Sequence, residues 1–453
     1  MGMQGCWRPV AASATAAATA DQTDYPPRPM QVKCYHFIWS GLAIVFHFVD
    51  LGTDVNVITH YFRNDERGYA YATIVIILVP SFIISCVSYQ MFDLDRNREG
   101  SHKWNRKLKL RIAMHVIPLA LLLRCIDSLK YAWKSWRTGR QRNTGLQEKY
   151  YKLMLKEDAD CALLQVLKCF LESAPQLVLQ VSYIFKWVNS EKPLEPGWTG
   201  YDPLISAVSS FLGMAWCLRT FKNSIRYVQE GKDNIGSLGN LFIFLWHFFI
   251  AISRISMLSA MLYISWAYTL IAMAIHWIIM TVSLLRIENH VFCTSDTSVV
   301  SRTVTFLEKL SNNFLTTVFA VVSIFTYIPL DEGDTCIRYT CYYSLCFLEN
   351  LLGASIWYWI EGRYWFKVLI TVLCILPFIL GCSCMVVYYH WFHPKEHRIS
   401  NGNVIVEKGQ VENGFVNVVG QGENGVVNVV GQGENGQGDD GSEMQEICLS
   451  EKL

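Results

Sequence analysis

The run Leu164–Phe185, LQVLKCFLESAPQLVLQVSYIF, places polar side chains inside a stretch apolar enough to enter a membrane, and few folds accept that combination. Gln165, Lys168, Glu172, Gln176 and Gln180 recur at intervals that put them on one face of a helix. Leu167, Leu171, Leu177, Val178 and Val181 cover the rest. A charge at the bilayer centre costs roughly 2.5 to 3.5 kcal/mol on insertion scales, so Lys168 and Glu172 must turn toward protein or a polar path. Pro175 lacks a backbone donor and is expected to bend the helix beside the glutamate. The plainest reading makes Lys168 and Glu172 an i,i+4 ion pair that holds a bundle together; the other gives them a direct part in transport.

Composition places this run in a polytopic membrane protein, because 52% of the residues are hydrophobic and only 17% charged. The net charge of +1 says nothing of partners. Residues 1–29 contain no apolar core of a cleavable signal, so the first membrane segment is expected to act as an uncleaved one. The cysteines lie mostly in apolar runs, among them Cys86, Cys125, Cys161, Cys169, Cys374, Cys382 and Cys384, where a small polarizable side chain packs well. No disulfide framework is read from them; Cys336 and Cys341 are the pair to follow if their loop faces outside. With no P-loop, nucleophile elbow or metalloprotease motif, neither an enzyme nor an ATP-driven pump has support, and no cofactor or nucleic-acid partner is expected. His390, His393 and His397 sit at the end of a span, where they are read as interfacial; no metal site is assigned.

In chain order, residues 1–36 form an Ala/Thr/Pro-rich disordered tail. Segment Phe37–Thr59 carries His47, Asp50 and Asp54 one turn apart on a shared face. After Tyr69–Phe92 comes a loop with seven basic residues between Arg96 and Arg111, cytosolic by the positive-inside rule, which puts the N-terminus there too. Ile112–Leu123 is too short to cross, with Arg124, Asp127 and Lys130 following, and the next loop, WKSWRTGRQRNTGLQEKYYKLMLK, is again cationic. That segment therefore reads as a half-helix entering and leaving on the cytosolic side. Further spans are expected at Leu204–Thr220, Leu238–Tyr263 with Arg254 inside it, Trp266–Leu285, Tyr339–Ile360 and Trp365–Tyr389, with a second short segment at Asn313–Leu330. Cys169-Phe-Leu-Glu-Ser returns as Cys346-Phe-Leu-Glu349-Asn, suggesting two pseudo-symmetric halves, about 37–221 and 238–392. The fold class is thus all-α: a membrane domain at 37–392 with eight spanning helices plus two half-helices, followed by a disordered cytosolic tail, 393–453, with 11-residue repeats around VNVVGQGENG.

FLESAPQLVLQ, the Asp50-x-x-x-Asp54 pair, the basic half-helix region and the eight-plus-two arrangement together resemble the XK-related family of phospholipid scramblases, over roughly residues 34–392. The resemblance implies ATP-independent, bidirectional lipid movement that exposes phosphatidylserine on apoptotic cells at the plasma membrane. In some members an executioner caspase switches it on by cutting a tail. It also implies a single-span accessory subunit or self-association as partners. Asp50, Asp54 and Glu172 match the family's functional acids; Arg254 is a looser match.

A head group bearing phosphate, carboxylate and ammonium needs both signs of charge along its route, which Lys168, Arg124 or Arg254 and Asp50, Asp54, Glu172 or Glu349 offer, with Gln176 beside them. The bland alternative is that these charges cancel as structural pairs. For the caspase site, Asp24 in DQTD ranks first on access, ahead of Asp440 in the C-terminal tail and Asp334 in a tight turn. Two other classes compete: a secondary transporter of a small polar solute, which also predicts broken helices and buried charges, and a membrane scaffold with no transport of its own.

Overall fold

A chain this apolar has few ways to satisfy its backbone, and helices dominate the computed structural model, which describes residues 32, 34–98, 120–189, 202–228, 234–287, 306–329, 335–393, 398–400 and 404–406. In order the helices are α1 (Cys34–Arg63), α2 (Arg67–Arg98), α3 (Ala120–Arg140), α4 (Thr144–Lys168), α5 (Ala174–Asn189), α6 (Asp202–Val228), α7 (Ser237–Ile264), α8 (Trp266–Ile287), α9 (Phe306–Val322), α10 (Thr335–Ile360) and α11 (Tyr364–Val387). Two π-helical turns, Cys169–Ser173 and Tyr388–Phe392, continue α4 into α5 and extend α11. Five stretches are long and apolar enough to cross a bilayer: Arg67–Phe92, Thr144–Lys186, Ser237–Ile264, Trp266–Arg286 and Tyr364–Phe392. The protein is therefore multi-pass. α1, α6 and α10 have the length as well, at 30, 27 and 26 residues.

α7 is the hub. It is buried on most sides from Gly239 to Ala260 and lies along α11, with α5, α6 and α10 around it. Glycine permits the closest approach: a Cβ on Gly381 would stand 2.8 Å from Ile250 Cγ1 and 3.1 Å from the Trp246 carbonyl oxygen, so α11 meets α7 backbone to side chain. Gly353 likewise leaves room for Met257. Outer faces are apolar and exposed, as on α8 (Leu270, Ile271, Ile275, Ile278) and α2 (Val75, Leu78, Val79, Phe82), the pattern of lipid-facing helices.

Two expectations are corrected. The cationic segment read as a loop, Trp133–Lys156, is helical: α3 carries Arg124, Asp127 and Lys130 and runs into it, turns at Gln141–Asn143, and returns as α4. Arg142 takes a left-handed φ of 56° in that turn and Asn143 caps α4 by accepting from Leu146 N at 3.2 Å. Most of the first half-helix, Ile112–Leu123, lies outside the described residues. The C-terminal region read as wholly unstructured contains a small hairpin, Arg398–Ser400 paired antiparallel with Val404–Val406, favoured by β-branched residues flanking Asn-Gly-Asn. The VNVVGQGENG repeats, Asp24, Asp334 and Asp440 lie outside the described residues.

The second short segment is a broken helix. After α9 the chain makes a turn at Ser323–Phe325 and continues without regular structure through Ile328, with Ser323 to Ile328 all buried. Non-helical backbone at membrane depth must find partners within the protein, and here the carbonyls of Ser323 and Ile324 do.

Candidate functional site

The CFLES pentapeptide takes different forms in its two copies. Cys169–Ser173 is a π turn, closed by Ala174 N–H to the Cys169 carbonyl, whereas Cys346–Asn350 is ordinary α-helix inside α10. Pro175 gives the reason: without an N–H it cannot bond the Leu171 carbonyl, and its ring crowds that carbonyl, so the helix admits one extra residue just upstream. The second copy has Leu352 at the equivalent place and stays regular. The expected bend is thus a change of register within the helix, centred on Glu172.

That register aims Lys168, Glu172 and Gln176 at α1. Lys168 Nζ lies 2.5 Å from Asp50 Oδ2, 3.3 Å from His47 Nδ1 and 3.8 Å from Glu172 Oε1. The cross-helix pair with Asp50 is therefore tighter than the i,i+4 pair read from spacing. Gln176 Nε2 donates to Asp54 Oδ1 at 2.7 Å. Asp54 and Glu172 are each only 4% exposed, while the Asp50 side chain retains 43%. Asp50 is the exposed end of the cluster, and Val45, Phe48 and Val49 lie exposed on the opposite face of α1.

The contacts continue upward. Tyr61 of α1 packs edge-on against Tyr183 of α5 at 5.3 Å between ring centres, Tyr69 of α2 joins both, and Lys186 donates to Glu66 at 2.6 Å. Partners on α1 and on α4–α5 rise in number together, so the helices run parallel and share one polar seam. From Asp50 to Glu66 the seam rises about 24 Å, most of a hydrocarbon core of about 30 Å. α1 packs closely on α2 and α3, and meets α4–α5 chiefly through these side chains.

Among the described residues Asp50, Asp54 and Glu172 are the group whose geometry suits a metal ion, with one oxygen of each within 4.8 Å of the others. Three carboxylates are hard donors for Ca²⁺ or Mg²⁺. Lys168 already lies against two of them and supplies one compensating charge from the protein.

Arg254 and Glu349 form a separate centre. The guanidinium donates from Nε and Nη2 to the Ile324 carbonyl at 3.1 and 2.9 Å, from Nη1 to Asn350 Oδ1 at 3.0 Å, and pairs with Glu349 Oε2 at 2.9 Å. His276 spans Glu349 Oε1 at 2.8 Å and the Ser323 carbonyl at 3.0 Å, which Tyr342 also bonds at 2.9 Å. This network holds the broken end of α9. Arg124 stands apart from both, joining α3 to α4 through Glu157 and Asp160 at 3.0 Å each. The site residues named from sequence thus fall into three places: Asp50, Asp54, Lys168, Glu172 and Gln176 on the seam, Arg254 and Glu349 at α9, and Arg124 in the α3–α4 pair.

Several participants escaped the sequence reading. Tyr61, Tyr183 and Lys186 continue the polar faces already noted on α1 and α5, a signal available in the spacing, while Glu66 lies in the turn after α1 and has no such signal. His276 had none, being a single polar residue in an apolar run, whereas Asn350 ends the Cys346-Phe-Leu-Glu-Asn repeat and was noted there without a role. Lys222, read from sequence only as the start of a cytosolic stretch, lies inside α6 with its ammonium 4.0 Å from the centre of the Trp246 ring.

Residues 38–394 match the sequence profile of one family, described as XK-related protein. The chain belongs to the XK-related family. Similar relatives include the Cell death abnormality protein 8 of Caenorhabditis elegans, 23% identical over 399 residues covering 85% of this chain and 84% of the relative. Its counterpart in Caenorhabditis briggsae is 24% identical over 412 residues, 84% of each chain. The XK-related match spans α1 to the end of α11 and so takes in both the seam and the α9 network.

Proposed function

We propose that this XK-related protein is an ATP-independent, bidirectional phospholipid scramblase of the plasma membrane that exposes phosphatidylserine on dying cells. The observation that carries the reading is the α1/α4–α5 seam: paired charges and hydroxyls rising about 24 Å between two parallel helices, with Asp50 part-exposed. A lipid can keep its tails in hydrocarbon there while its head group exchanges partners along the seam. Mixed charge suits a zwitterionic or anionic head group without binding it tightly. The relatives' names supply the link to cell death.

Eight spans with both termini in the cytosol fit the parallel run of α1 and α4–α5. A cut at Asp24 by an executioner caspase is the proposed switch. Val32, eight residues on, packs with Ala132, Tyr151, Met154 and Leu155 of the α3–α4 hairpin, so cleavage would free the first residues while their remainder stays anchored. A single-span accessory subunit or self-association remains a proposed partnership.

The broken end of α9, with Arg254 on its carbonyls, favours a second reading as a secondary transporter of a polar solute. Purified protein in liposomes separates the readings. Scrambling predicts loss of labelled lipid asymmetry in both directions without ATP; solute uptake with no lipid movement would replace it with transport, and neither activity would leave a scaffold.

A further inference from the structure

The net charge of +1 conceals a strong asymmetry along the chain. Residues 407–453 hold nine acids (Glu407, Glu412, Glu423, Glu434, Asp439, Asp440, Glu443, Glu446 and Glu451) against Lys408 and Lys452, a net charge of −7. Between Lys130 and Lys152, the turn of the α3–α4 hairpin holds seven Lys and Arg against Glu148 alone, a net charge of +6. Glu148 is already engaged by Lys152 at 3.1 Å, and Lys130 by Asp127 at 3.6 Å. Arg137, Arg140, Arg142 and Lys149 are exposed and have no carboxylate partner among the described residues. Aromatic rings support this face: Arg140 lies over Trp136 at 4.1 Å, Lys134 over Tyr150 at 5.2 Å, and Trp133 is 53% exposed.

Like charges this dense repel one another unless a counter-charge covers them. The lipid leaflet is badly placed to do so. Thr144–Lys186 is one rod of 43 residues, about 65 Å long against about 30 Å of hydrocarbon. With the seam's upper end at one membrane face, the hairpin turn projects about 30 Å beyond the other. Residues 99–119 supply no counter-charge, being themselves basic.

The C-terminal segment, in contrast, leaves the bundle nearby. Phe392 stacks on Phe242 at 5.2 Å, Asn240 of the same helix accepts from Asn223 of α6 at 2.7 Å, and Tyr227 and Val228 at the end of α6 pack on the hairpin's own apolar cluster. A Gly/Asn/Gln-rich coil the length of residues 407–453 has an end-to-end distance of about 38 Å, and tethering of this kind gives effective concentrations on the order of millimolar.

We propose that the acidic C-terminal segment, residues 407–453, docks on the cationic face of the α3–α4 hairpin. The contact is electrostatic and shallow, made by carboxylates with Arg137, Arg140, Arg142 and Lys149. It is independent of the lipid-moving activity and does not require the seam.

Zero-length carbodiimide cross-linking of the full-length protein in nanodiscs of neutral lipid, read by peptide mass spectrometry, tests it. Expected are isopeptide bonds from Lys134 and Lys149 to Glu423, Glu434, Asp439 or Asp440, falling at least about fivefold between about 50 and about 500 mM salt. Replacing those four acids with Gln and Asn should abolish them while leaving the Glu148–Lys152 cross-link as an internal control. Tail carboxylates joined no more often to the hairpin than to Lys103, Lys107 and Lys109, read as lying on the same membrane side, would overturn the proposal. So would bonds found only between isotopically distinct copies, or bonds lost when phosphatidylserine is added to the nanodisc, which would assign the face to a second copy or to lipid.

Discussion

Lys168 is the residue on which the seam balances, because it is the one cation against Asp50, Asp54 and Glu172. Replacing it with Met leaves three carboxylates within 4.8 Å of one another, and breaking a buried pair from one side costs about 3 to 5 kcal/mol. Lys168→Met should therefore lower detergent thermal stability and surface expression. Adding Asp50→Asn to it should restore part of the loss, since the two residues are coupled. A double variant as unstable as the sum of the singles would show that Asp50 is not the partner. Asp54→Asn and Glu172→Gln keep size and hydrogen-bonding capacity, so both should reach the plasma membrane yet scramble at least about tenfold more slowly in liposomes. Normal rates in both would remove the polar route. At Arg254 the sequence marked a buried charge, but its task of holding the Ile324 carbonyl depends on a backbone break 70 residues away.

At the level of elements, the π turn joins two halves of one rod whose polar faces match α1 only in that register. Pro175→Ala returns the missing N–H and lets the turn relax to α-helix. One residue of register is about 100° of rotation, so Lys168 and Gln176 could no longer both face α1. The expected result is slower lipid transfer, together with slower hydrogen exchange at Lys168–Gln176 as the α-helical bonds are restored; an unchanged transfer rate would mean that the register is incidental. Packing sets the other element-level test. Gly381→Leu must push α11 away from Ile250 and the Trp246 carbonyl, an overpacking cost of about 1 to 3 kcal/mol, with Gly381→Ala milder. Thermal unfolding of the purified variants gives the order, and equal midpoints for wild type and Gly381→Leu would contradict the close contact.

For the whole molecule, the proposed eight-span topology puts Ser101 and Thr144 on one side of the membrane. Single cysteines at both should resist an impermeant reagent in intact cells; labelling of only one would break the eight-span topology. Helix positions were legible from the sequence because hydrocarbon leaves the backbone no other partner, and Leu238–Tyr263, Trp266–Leu285 and Trp365–Tyr389 lie within α7, α8 and α11 and its π turn to within a few residues. The polar faces of Phe37–Thr59 and Leu164–Phe185 were legible too, since helical period alone puts Asp50 with Asp54 and Lys168 with Glu172. The cationic hairpin was not, as its low hydropathy looks like a loop when its helices are held by Arg124, Glu157 and Asp160 across a turn. Nor could spacing choose between Glu172 and Asp50 as the nearer partner of Lys168, because local period ranks neighbours on one helix and is blind to distance between helices. The sequence by itself determined which residues must avoid lipid. Only the tertiary structure decided which of them meet, through the register set at Pro175 and the parallel pairing of α1 with α4–α5.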